Sequence, residues 1–122
     1  RVHSKPMKNR RDLQPLLAGA DGGPARRLAL FALINMGLVE SLAHGLLGPE
    51  EAVRLFYHAE NCLFVKKELR AGAANEIMGR GAQLPDLFDA LSPDDARREF
   101  LHELAVMRGL CLRLLEDRRL VA

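Results

Sequence analysis

Seven consecutive apolar residues, Leu28-Ala29-Leu30-Phe31-Ala32-Leu33-Ile34, leave this chain few folds to choose from. Wound as a helix they are apolar on every face, and such a helix must be surrounded by others. The residue types also favour a helix. Leu and Ala dominate the chain and lose little side-chain freedom in a helix. Aromatic residues are only 5% of the chain, and β-branched types are scarce as well, so strands lack their usual building blocks. A central helix from about Pro24 to His44 is predicted, with Gly45 as its stop and His44 near the negative end of the dipole.

Punctuation divides the remainder. Residues 8–18 are expected to form at most a turn or two of helix, because Pro15 falls within them. Gly19-Ala20-Asp21-Gly22-Gly23 reads as a loop, and Gly48-Pro49-Glu50-Glu51 as a helix start. The next helix is expected to reach about Arg70, with a break near His58 to Asn61 and a stop at Gly72. Ala73 to Arg80 reads as a short helix closed by Gly81, and Pro85 as the opening of a turn anchored by Leu87, Phe88 and Leu91. Ser92-Pro93-Asp94-Asp95 is a capped start, with Asp95 placed to answer as in a capping box. From there Phe100, Leu104, Met107, Cys111 and Leu114 trace one face of a last helix to about Arg119, widened by Leu101, Ala105, Leu112 and Leu115. The expected fold is all-α: a compact orthogonal or irregular bundle of about five helices with a central apolar helix and a long C-terminal one. Residues 24–122 form the helical domain. Residues 1–23 read as a polar, partly flexible segment, with 1–6 a remnant preceding a start at Met7.

Composition limits function as well as fold. A net charge of +2 is too balanced to imply a nucleic-acid or membrane partner by itself. No apolar run approaches the ~20 residues of a membrane span, and the polar start predicts no secretory signal. Cys62 and Cys111 stand far apart in apolar surroundings, as buried reduced thiols of a cytoplasmic protein would.

Two stretches, Leu38-Val39-Glu40-Ser41-Leu42-Ala43-His44-Gly45-Leu46-Leu47-Gly48-Pro49-Glu50-Glu51-Ala52 and Ile77-Met78-Gly79-Arg80-Gly81-Ala82-Gln83-Leu84-Pro85-Asp86-Leu87, carry a resemblance. The first is a corner of leucine-rich helix, glycine and acidic helix start, and the second a turn of glycine, acceptor, leucine and acidic residue. Together they resemble a family of short bacterial helical proteins of uncharacterised function, over about half the chain. The resemblance implies a helical fold and a bacterial source, and brings no activity, cofactor or catalytic residue.

Chemical motifs are sparse. Glu99-Phe100-Leu101-His102 has the Glu-x-x-His spacing of di-iron bundles, but such sites need a second copy and two more glutamates. Glu40 and His44 are spaced by four, not three. Neither glycine-rich stretch follows a strand, as a phosphate cradle requires. No cofactor, metal or small-molecule substrate is therefore expected, and the chain reads as a non-enzyme. Basic pairs recur at Arg10-Arg11, Arg26-Arg27, Lys66-Lys67, Arg97-Arg98 and Arg118-Arg119. A helix-turn-helix DNA-binding regulator would use Asn61 to Arg70 as its recognition helix, contacting nucleic acid through Lys66, Lys67 and Arg70. The favoured reading is association with a protein partner or a second copy, as a small adaptor, accessory subunit or immunity-type or antitoxin-type binder. Val106 and Gly109 fall on the polar side of the last helix, beside His102 and Arg113, and are the candidate contacts.

Overall fold

A computed structural model describes residues 12–18 and 22–117. Arg10-Arg11, Arg118-Arg119, the start at Met7 and residues 19–21 of the first loop lie outside the described residues. Among those described there are six helices and no strand: α1 (Leu13–Ala18), α2 (Gly23–Ala43), α3 (Pro49–Leu55), α4 (Ala59–Phe64), α5 (Gly72–Ala90) and α6 (Pro93–Asp117). The all-α bundle expected from the sequence is the fold observed. α6 makes its most extensive contacts with α5 and α2, and the smaller helices close the other side.

Helix ends follow local chemistry. α2 finishes in a Schellman arrangement: Leu46 N–H reaches the Ser41 carbonyl at 2.9 Å and Gly45 N–H the Leu42 carbonyl at 3.2 Å, with Gly45 at φ 74°. The His44 ring adds a 2.9 Å contact to the Glu40 carbonyl. At the start of α3, the Glu51 carboxylate accepts from Gly48 N–H at 3.3 Å, and Pro49 fills the first turn. Ser92 Oγ accepts from Asp95 N–H at 3.4 Å and caps α6. The Asp95 carboxylate does not complete a capping box but pairs with Arg98.

Two expected boundaries move, and one helix face is reassigned. Gly72 does not end a helix; it opens α5. The preceding helix ends at Arg70, a non-glycine residue in the left-handed region (φ 53°), after α4 widens into a π-helical stretch, Val65–Leu69. Gly81 and Pro85 do not interrupt α5, which runs through both. The spacing of Ala74, Ile77, Met78, Gly81 and Leu84 is that of one helical face, and all five are buried. That burial outweighs the hydrogen bond that Pro85 withholds from the Gly81 carbonyl. The third correction concerns α6. Ala96 and Leu110 join its buried face, while Leu101, Ala105 and Leu112 are exposed. Phe88 and Leu91, read as anchors, are exposed too.

Two polar groups organise the core. Asn35, within α2, is fully buried; its Nδ2 donates to the Phe31 carbonyl at 3.0 Å and its Oδ1 accepts from Tyr57 Oη–H at 2.8 Å. The Tyr57 ring lies against Gly81 of α5. Asn61 does the same service between α4 and α1: its Oδ1 accepts from Leu13 N–H at 2.9 Å, and its Nδ2 donates to the Phe56 carbonyl at 2.8 Å. Leu13 and Leu17 are buried in the common core. α1, assigned from sequence to the polar N-terminal segment, therefore packs with the rest.

Candidate functional site

α6 carries two faces with different jobs. Ala96, Phe100, Leu104, Met107, Leu110, Cys111 and Leu114 face inward. Steps of seven, four and seven along a 3.6-residue helix place Arg98, Ala105, Gly109 and Glu116 in one line on the opposite side, and all four are exposed. Leu101, 43% exposed, and Leu112, 44% exposed, flank this line on one side. His102 and Arg113 flank it on the other, both exposed. A Cβ added to Gly109 would meet nothing within 4 Å. Of the four residues expected to contact a partner, His102, Gly109 and Arg113 therefore share this face. Val106 sits at its margin, half-buried against the core. The two leucines were assigned by sequence to the core side of the helix, and this was wrong.

The central helix also leaves an apolar residue uncovered. Leu28, Ala29, Phe31 and Ala32 are buried, but Leu33 is 44% exposed. The expectation that residues 28–34 would be enclosed on every side fails there. Arg108 of α6 reaches Glu40 of α2 at 3.0 Å and ties the two helices together.

The candidate nucleic-acid contacts occupy different ground. Lys66 and Lys67 lie in the π-helical stretch and Arg70 at its left-handed end, all exposed. Asn61, at the other end of the supposed recognition helix, is buried and committed to Leu13 and Phe56. Lys67 lines a groove of about 530 Å³ together with Arg27, Glu60 and Glu68. Acidic groups beside the cations oppose a phosphate backbone.

Among the described residues, one group has metal-ligand proximity: Asp12, His58 and Glu60 hold their ligand atoms within 4.8 Å of one another. His58 also caps α4, its Nδ1 accepting from Asn61 N–H at 3.4 Å. The other ring nitrogen, Nε2, lies 3.7 Å from Asp12 Oδ1, so the imidazole joins the α4 cap to the residue that precedes α1. Glu99 and His102 remain on the solvent side of α6, apart from this group. His44 pairs with Glu40 at 3.4 Å, and among the described residues His44, His58 and His102 form no common cluster.

Both cysteines are free thiols. Burial raises Cys62 and pushes Cys111 up to about 11, against a weaker downward pull from Arg108. Burial, with a smaller contribution from Cys111, holds the Tyr57 hydroxyl well above its ordinary range. Neither thiol is activated as a nucleophile. A pH effect on stability follows. Below pH 9, the ordinary value, folded and unfolded chains both keep the Cys111 proton; between 9 and about 11 only the folded chain does. Stability therefore falls as pH rises through that window, and falls more steeply above pH 10, where Tyr57 joins. Urea denaturation of the wild type and Cys111→Ala across pH 8 to 11 measures this. The variant is expected to lose the Cys111 share of the decline and keep the share of Cys62, and identical profiles would contradict the assignment.

No protein-family model, curated protein or solved structure matches this chain.

Proposed function

We propose that this chain is a non-enzymatic helical interaction module that works by association through the outer face of α6. It fits the role of a small adaptor, an accessory subunit or an immunity-type binder. One observation carries the reading: Leu101 and Leu112 stand exposed beside Ala105 and Gly109 on a long helix whose other face is fully committed to the core. Leucines flanking small residues give a second helix apolar area to cover and a backbone it can approach closely. Gly37 and Gly79 are just as open, so an open glycine decides nothing by itself. What sets Gly109 apart is the leucine pair beside it.

The alternative, a helix-turn-helix regulator, rests on Lys66, Lys67 and Arg70. The change to π winding across these residues and the carboxylates of Glu60 and Glu68 around Lys67 weigh against it.

A photo-crosslinking residue at position 109, with one at the exposed position 50 on α3 as control, tests the choice in living cells. The expected result is protein adducts from position 109 and none from 50. Adducts to nucleic acid, or no protein adduct at 109, would sink the association reading. A duplex DNA whose binding fell steeply between low and moderate salt would support the regulator instead.

A further inference from the structure

We propose that the partner is a second copy of this chain, and that the two α6 helices pair antiparallel about a two-fold axis on the outer face, midway between Ala105 and Gly109. This rests on the association reading above. The argument is charge and size complementarity of the face with itself. Along the exposed centre line the order is cation, small, small, anion: Arg98, Ala105, Gly109, Glu116. Read backwards it is anion, small, small, cation, which is what an antiparallel copy presents.

The register follows from the midpoints. Arg98 and Glu116 are centred on residue 107, and so are Ala105 and Gly109. Turning one helix over about that point sets Arg98 against the partner's Glu116, and Ala105 against the partner's Gly109, each contact occurring twice. Antiparallel helices also bring like flanks together, so Leu101 meets the partner's Leu112, again twice. The close central approach lets these leucines reach each other. Parallel pairing instead stacks Arg98 on the partner's Arg98 and Glu116 on the partner's Glu116, and like charges reject it. The intrachain pair of Arg98 with Asp95 survives, because it comes from one turn earlier on the same helix. A foreign partner has no need of a face that matches its own reverse.

Sedimentation velocity from low micromolar to millimolar concentration tests the proposal. The wild type is expected to pass from monomer to dimer. Arg98→Glu and Glu116→Arg each place like charges at both symmetric contacts, and each is expected to weaken the dimer about 30-fold. The double variant R98E/E116R restores it. The two single variants, weak alone, associate when mixed, because one copy then carries two anions and the other two cations. All the substituted positions are exposed, so circular dichroism should match the wild type in every case. A wild type that stays monomeric throughout overturns the second copy, and so does a dimer indifferent to the charge changes. Protein adducts at position 109 to a different chain would in that event leave the association reading standing.

Discussion

Gly81→Ala is expected to destabilise the protein by about 3 kcal/mol, because among the described glycines it has the tightest surroundings for an added methyl. Its new Cβ would lie 2.5 Å from Tyr57 Cδ1 and 2.6 Å from both Cε1 and Cγ, far inside van der Waals contact. The ring cannot swing away cheaply. It is buried, stacked edge-on against Phe56 at 5.2 Å, and held by its hydroxyl to Asn35. Relief requires moving α5 off the ring or breaking the Tyr57–Asn35 bond, which strands a buried amide oxygen. Helix propensity works in the other direction: alanine in mid-helix is favoured over glycine by about 1 kcal/mol. Gly79→Ala isolates that gain, since the added Cβ there meets nothing within 4 Å. Urea denaturation should therefore give opposite signs for two identical substitutions two residues apart. A Gly81→Ala protein as stable as the wild type would mean the α5–Tyr57 contact is looser than described.

Asn61→Ala is expected to remove about 3 kcal/mol, by a different route. Alanine fits the space but leaves the Leu13 N–H and the Phe56 carbonyl without the amide that joins them. These groups lie in the interior, where an unsatisfied donor or acceptor costs about 1–3 kcal/mol. The loss should also be local. α1 is six residues long and few groups hold it, Leu13, Leu17, this amide and the Asp12–His58 pair among them, so it is expected to detach before the other helices open. Amide exchange reads this directly: residues 13–18 should lose protection in the variant while α5 and α6 keep theirs. A loss under about 1 kcal/mol with α1 still protected would show that the helix docks without this amide.

How far the sequence reached depended on the kind of signal. α2 and α6 were legible nearly to the residue, because an all-round apolar run and a long 3.6 periodicity admit few alternatives. The Schellman stop at Gly45 and the Ser92 cap were legible for the same local reasons. α5 was misread because glycine and proline serve as punctuation only where no packing demand overrides them. Gly81 is glycine for the sake of Tyr57, a residue 24 positions away, and that distance is invisible in a local window. The signal that would have found α5 was present: Ala74, Ile77, Met78 and Leu84 keep helical spacing straight through the glycines. The candidate site was half legible. His102, Gly109 and Arg113 were placed on the outer side correctly. Leu101 and Leu112 were not, because an apolar residue at the edge of a stripe looks like core until its neighbours are known. Asn61 read as part of a helix break and as the start of a recognition helix, and only its partners reveal it as a joint.

Tyr57 has one more property. It is the chain's single tyrosine, and there is no tryptophan. Its intrinsic fluorescence therefore reports one place, the junction where the Asn35 amide, the Gly81 backbone and the Phe56 ring meet. Nothing on the outer surface of α6 touches that place. The ultraviolet emission of unlabelled protein should stay constant while copies join or part, and change only when the interior opens. A single optical channel can thus separate loss of assembly from loss of structure, with no dye and no added residue.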